Sequence, residues 1–225
     1  MNSDEIKNAA YRSGADICGI ASVDRFAEAP AGFHPTDIFR DTKSVIVFAR
    51  RFPKGSVLSG NLFSYSISDQ LLTEQIRNIT YNFSILIEDI GITAVPVYTE
   101  PYAFWDKETM TGKGDLSLKH AGYLAGLGVF GRNHLLYNYK YGTMFKLGAV
   151  LTDSYIEPDT IQTFSFCRDN CLLCEKKCPS GAIGSGSVDQ RKCRNHSEGF
   201  STKGYPITTC NLCRSICPHC FGISK

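Results

Sequence analysis

Hydrophobic and polar positions keep two rhythms along the earlier part of the chain, and neither rhythm continues past residue 160. From Ser68 onward Leu72, Ile76, Ile79, Phe83, Leu86 and Ile90 recur at steps of three and four, which predicts a long helix with one apolar face, ended at Gly91. Ser44-Val-Ile-Val-Phe-Ala49 is a continuous apolar run and predicts a buried strand. Ser3 predicts the cap of a short helix that stops at Gly14, with residues 17–21 as a strand behind it. Residues 92–98 predict another strand, and Pro96 places it at a sheet edge. Residues 116–127 read as helix and 144–151 as strand.

Composition adds a division. The 225 residues carry 24 Lys and Arg against 22 Asp and Glu, a charge of +2 that argues for neither nucleic acid nor a membrane surface. No run of eighteen apolar residues predicts a membrane span, and the acid-bearing start lacks the apolar stretch of a signal peptide. The expected location is the cytoplasm, where thiols stay reduced. Of ten cysteines only Cys18, in an apolar strand and expected to be inert core, precedes residue 167. Residues 1–160 hold 15 basic and 18 acidic residues, residues 161–225 hold 9 and 4. A boundary is therefore expected near 155–160, between a first domain (1–160) able to bury its own core and a second (161–225) that needs staples.

Those staples are legible. Cys167-x3-Cys171-x2-Cys174-x3-Cys178-Pro179 is followed by the lone Cys193 and then by Cys210-x2-Cys213-x3-Cys217-Pro218. Short spacings let a loop wrap a cubane, and in two-cluster ferredoxins the cysteine before the proline serves the neighbouring cluster. Crossing them that way predicts one [4Fe–4S] cluster on Cys167, Cys171, Cys174 and Cys217, and another on Cys178, Cys193, Cys210 and Cys213. Cys220 is the alternative to Cys167, whose spacer of three residues is one longer than usual. Zinc-ribbon knuckles have a different spacing, and a disulfide framework needs an oxidising compartment. Lys176, Lys177, Arg191, Lys192 and Arg194 either offset the clusters' negative charge or form a solvated or docking face.

Gly126-Leu-Gly128-Val-Phe-Gly131 matches the dinucleotide pattern G-x-G-x-x-G, with Asp153 downstream. That fingerprint needs a strand before and a helix after; here the order is inverted, so nicotinamide binding is not expected.

The same stretch, Ala125-Gly-Leu-Gly-Val-Phe-Gly-Arg-Asn-His-Leu-Leu136, then Tyr141-Gly142 and Leu147-Gly-Ala-Val-Leu-Thr-Asp153, resembles the core of epoxyqueuosine reductases and corrinoid-dependent reductive dehalogenases. The cysteine order and the Asp189-Gln-Arg-Lys-Cys193 lead-in are similar too. The resemblance implies an α+β fold, a nitroreductase-like sandwich around a mixed sheet, followed by a small ferredoxin-like two-cluster domain. It implies base-off cobalamin in the first domain, with Gly131, Arg132, Asn133, Gly142 and, more weakly, Thr152 lining the corrin. Two clusters would pass electrons to it from a low-potential donor such as ferredoxin or flavodoxin.

Where the family places an acidic proton donor this chain has Gly112; Asp115 is the nearest substitute, with Lys119, His120 and Tyr123 behind it. Trp105, with Tyr98, Tyr102 and Phe104, is a candidate roof for a planar cofactor, although aromatics near a sheet edge are usually core. The tRNA-binding helical-repeat extension has no counterpart here, so tRNA is not an expected partner. Two readings follow: a cobalamin-dependent iron–sulfur oxidoreductase of an unidentified small substrate, or a redox or corrinoid-handling partner without substrate chemistry of its own. An open cavity in the first domain facing the cysteines favours the enzyme; a filled core favours the carrier.

Overall fold

Residues 2–97, 102–184 and 186–223 are described by the computed structural model, so Tyr98 lies outside the described residues. The fold is α+β. Its centre is a four-stranded sheet in the order Ile17–Ser22, Ser44–Arg51, Phe145–Thr152, Ala94–Val97. The apolar run at 44–49 becomes an inner strand because both its faces are buried: Ile46 and Phe48 look one way, Val45, Val47 and Ala49 the other. Pro96 sits on the outer strand, where a missing N–H is tolerated.

The mixed sheet expected from the resemblance is corrected. Strands 44–51 and 94–97 do run the same way, but strand 145–152 inserts between them and pairs antiparallel with both. Strand 17–22 is antiparallel to 44–51 as well.

One face of the sheet is covered by the helices Ser3–Arg12 and Leu62–Glu88, the other by Leu118–Leu124 and loop residues such as Leu127 and Leu136. Element ends shift from expectation for local reasons. Asn61 caps the long helix, accepting from the amides of Phe63 and Ser64, so the helix begins at 62 rather than 68. Near its other end Ile87, not Ile90, is buried. Asn2 rather than Ser3 caps the first helix, in a reciprocal capping box with Glu5.

Residues 161–223 form short pieces: the helices Leu173–Lys176, Gln190–Ser197 and Leu212–Ser215, and two strand pairs of two and three residues. The connection before them is pinned down. Ile156 is buried with its amide on Ser44 Oγ, and Asp159 accepts from Lys7 and from the Ile20 amide. The later pieces are stitched to the sheet unit: Thr208 N–H donates to Ser66 Oγ, Gln70 to the Pro206 carbonyl, and Ile223 N–H to the Tyr139 carbonyl. Among the described residues no helix is long and apolar enough to cross a membrane.

Candidate metal centre

Each short cysteine run folds into the same device: a one-turn helix that carries the cysteine before its Cys-Pro pair. Leu173–Lys176 holds Cys174 and Leu212–Ser215 holds Cys213, and the two helices pack on each other. The thiols then sort into two neighbourhoods. Burial pushes Cys213 up to about 11, Arg214 pulls it down, and Cys193, Cys210 and Cys178 push it up again. Cys213 therefore lies within electrostatic reach of the three other cysteines of its predicted set. Burial, then Cys167, raises Cys174. Cys167 and Cys217 both act on Tyr137, so these three thiols share the second neighbourhood. Cys220 is buried and raised to about 11 by burial first and Cys217 second. Both Cys167 and its alternative thus stand near Cys217, but Cys167 also reaches Cys174. Among the described residues no three His, Cys, Asp or Glu side chains converge on a single-ion position; a cubane holds its thiolates at separate corners, farther apart than the ligands of one ion.

Several sulfurs already accept hydrogen bonds. The Ala182 amide donates to Cys178 Sγ at 3.3 Å, with Ser180 Oγ at 3.6 Å. Burial works upward on Cys178, but these contacts and the backbone around Ile183 outweigh it and draw the thiol toward thiolate, the form a metal binds. Tyr137 Oη donates to Cys217 Sγ at 3.1 Å. Buried Nη1 of Arg214, one residue from Cys213, finds no hydrogen-bond partner, and neither does buried Oγ1 of Thr143. An orphaned guanidinium nitrogen next to Cys213 fits an anionic, sulfur-rich group bound at that thiol.

The residues expected to line a corrin are brought to this place, except one. Arg132 bridges to the cysteine run through the Asp169 carbonyl at 3.0 Å and Glu175 at 3.7 Å. Asn133 is buried and donates to Tyr137 Oη and to the Cys213 carbonyl. Thr152 is fully buried seven residues along strand 145–152, about 23 Å from the strand's cysteine-side start at ~3.3 Å per residue.

At Gly131 and Gly142 the loop offers a corrin no slot. A Cβ on Gly131 would lie 2.3 Å from the Tyr137 ring, and one on Gly142 2.2 Å from the Cys220 carbonyl. The close approaches that glycine permits at these two positions are made by the chain's own atoms. The glycine segment does follow a helix, Leu118–Leu124, as the refusal of dinucleotide binding required.

The expected acid and roof change as well. Gly112 lies under Tyr102, whose ring is 2.5 Å from where a Cβ would stand, so that place admits no longer side chain. Asp115 is half-buried in the turn before helix 118–124. Lys119 Nζ donates to the His134 carbonyl at 2.9 Å; burial and then Arg214 lower its affinity for the proton, while Cys213 and Cys193 raise it. His120 bonds Ser117 and lies against Phe130. Instead of roofing a cofactor, Trp105 and Tyr102 both receive the Arg194 guanidinium at 4.8 Å. Phe104 turns to Phe33. A cavity of ≈590 Å³ opens beside Arg194, between the long helix at Ser66, Asp69 and Gln70 and the hairpin that includes Phe200 and Pro206. It lies at the junction of the two parts of the chain, and both faces of the sheet are filled. Sequence reasoning offered residues 137–141 as a polar rim and missed both Arg214 and the bond from Tyr137 to Cys217, because no motif links residue 137 to residue 217.

The fold and its cysteine-bearing part have relatives among known proteins. No protein-family model matches. The chain is 33% identical over 129 residues to an epoxyqueuosine reductase of Staphylococcus aureus, covering 52% of this chain and 33% of that protein. It is 29% identical over 173 residues to a tetrachloroethene reductive dehalogenase of Dehalobacter restrictus, covering 76% and 27%. The matches span about a third or less of these relatives' length. Among solved structures, an epoxyqueuosine reductase from Streptococcus thermophilus superposes with TM-score 0.66 at 20% identity, over 100% of this chain and 68% of that one. An epoxyqueuosine reductase with a modified tRNA stem loop gives 0.64 at 18%, over 96% and 64%. A reductive dehalogenase described as suggesting a mechanism for B12-dependent dehalogenation gives 0.71 at 19%, over 95% and 31%. The resemblance read from the sequence therefore holds: the chain is related to the epoxyqueuosine reductases and reductive dehalogenases.

Proposed function

We propose that this chain is an iron–sulfur reductase unit in which residues 161–225 hold two [4Fe–4S] clusters against a sheet domain spanning 1–160. One cluster takes Cys167, Cys171, Cys174 and Cys217, the other Cys178, Cys193, Cys210 and Cys213. The observation that carries this is the packing of the two one-turn helices that bear Cys174 and Cys213, with Cys178, Cys193 and Cys210 within electrostatic reach of Cys213 although they lie up to 35 residues away in sequence. Bound clusters supply one-electron transfer, fed by a low-potential donor such as ferredoxin or flavodoxin. The chain's own part is to hold the thiols, donate hydrogen bonds to sulfur through Tyr137 and the Ala182 amide, and set Arg214 beside Cys213.

Substrate chemistry is assigned to the junction cavity beside Arg194 rather than to the 126–142 loop, and no step is drawn through cobalamin. Because one structural relative is solved with a tRNA stem loop, tRNA re-enters as a candidate partner against the sequence-based expectation. A second reading, an electron carrier with no proton donor and no substrate in that cavity, has the filled sheet core and the covered position at Gly112 as its support.

The test is anaerobic iron and acid-labile sulfide analysis with EPR. Content approaching two cubanes per chain is expected, with Cys171→Ala and Cys213→Ala each depleting a different cluster. Zinc alone after full reconstitution, or loss of the same cluster in both variants, would sink the assignment.

A further inference from the structure

Gly131 and Asn133, set aside by the sequence for a corrin, converge instead on a tyrosine. Tyr137 is 2% exposed, and its hydroxyl lies 3.1 Å from Cys217 Sγ. Asn133 Nδ2 donates to the same hydroxyl oxygen at 3.0 Å, which leaves the phenolic proton for the sulfur. Asn133 is itself locked: its Oδ1 accepts from the Leu135 amide at 3.2 Å, and Nδ2 also donates to the Cys213 carbonyl at 2.9 Å. Gly131 makes room, since any Cβ there would meet the tyrosine ring at 2.3 Å. Phe166, with ring centroids 5.3 Å apart, and Val129 pack around it. The O–H···S bond is therefore made in a dry pocket of low local dielectric, where it is stronger than in water.

We propose that Tyr137 is a positioning residue that acts through Cys217 to raise the reduction potential of the cluster bound there. This rests on the two-cluster reading above. Taking up one electron adds negative charge to a cluster and its thiolates, and a donor aimed at a ligand sulfur stabilises that reduced form more than the oxidised one. No bond is made or broken; the electron comes from the external low-potential donor, and the proton stays on the phenol. Asn133 joins the two neighbourhoods, because one amide nitrogen serves the hydroxyl on Cys217 and the carbonyl of Cys213.

The experiment is an EPR-monitored redox titration of the reconstituted full-length protein and its Tyr137→Phe variant, with iron and sulfide assayed on the same samples. Tyr137→Phe keeps the ring and removes only the donor. Expected are unchanged iron, one midpoint potential moved to more negative values, and the other unmoved; Asn133→Ala should give a smaller shift in the same direction. Two unmoved potentials at full iron content would overturn the proposal. Loss of iron from Tyr137→Phe would also overturn it, by making the ring a structural prop. Wild-type protein without cluster signals fails differently: it sinks the reading beneath, and the proposal with it.

Discussion

At Gly142 one absent methyl decides how the two parts of the chain meet. Its φ is +58°, and its α-carbon faces the Cys220 carbonyl so closely that a Cβ would stand 2.2 Å away. The next residue confirms the contact, Thr143 N–H donating to the same carbonyl at 3.0 Å. Valine at 142 would combine left-handed backbone strain with overlap against backbone. Gly142→Val should cost about 3 kcal/mol or more in denaturant unfolding and should lower iron retention after reconstitution. Cys18 shows the opposite case of a residue whose sequence context suffices. It is buried in the inner face, burial pushes its thiol up to about 12, and it stays a neutral core residue.

Among the elements, the long helix Leu62–Glu88 carries the most of the packing. Ile76, Ile79, Phe83 and Ile87 fill the space above Ile46, Phe48 and Val150, with Phe83 edge-on to Phe48 at 5.7 Å. Large side chains of this kind gain about 1.5–3 kcal/mol each on burial. Phe83→Ala should destabilise the protein by about 3–5 kcal/mol. Ile85→Ala, on the same helix but 41% exposed, should stay within about 0.5 kcal/mol. Urea unfolding of both variants checks the contrast; equal losses would mean that the helix is not held by this face.

For the whole molecule, the two parts differ in what holds them. The sheet unit has a core on each face, whereas the described part of 161–223 buries few apolar side chains, among them Phe166, Ala182 and Ile183. Its order should therefore depend on what its thiols bind. Removing iron with a chelator should leave residues 1–160 resistant to limited proteolysis while the cysteine-bearing part is cut. Uniform resistance of the metal-free protein would show that the stitches at Ser66, Gln70 and Tyr139 suffice without metal.

Local rules were enough wherever a residue's neighbours in sequence are also its neighbours in space. The 3.6-residue spacing at 72–83 determined a buried helix face, the run at 44–49 determined an inner strand, and Pro96 determined an edge. Tertiary structure alone decided the rest. Strand 145–152 entered between two parallel neighbours and made the sheet antiparallel, a choice no local pattern encodes. Glycines that promised a slot were filled by Tyr137 and Cys220, and the aromatic roof was claimed by Arg194. The contacts of Gly142 with Cys220 and of Trp105 with Arg194 join residues 78 and 89 apart, and they are set by what remains to be covered once the sheet has closed.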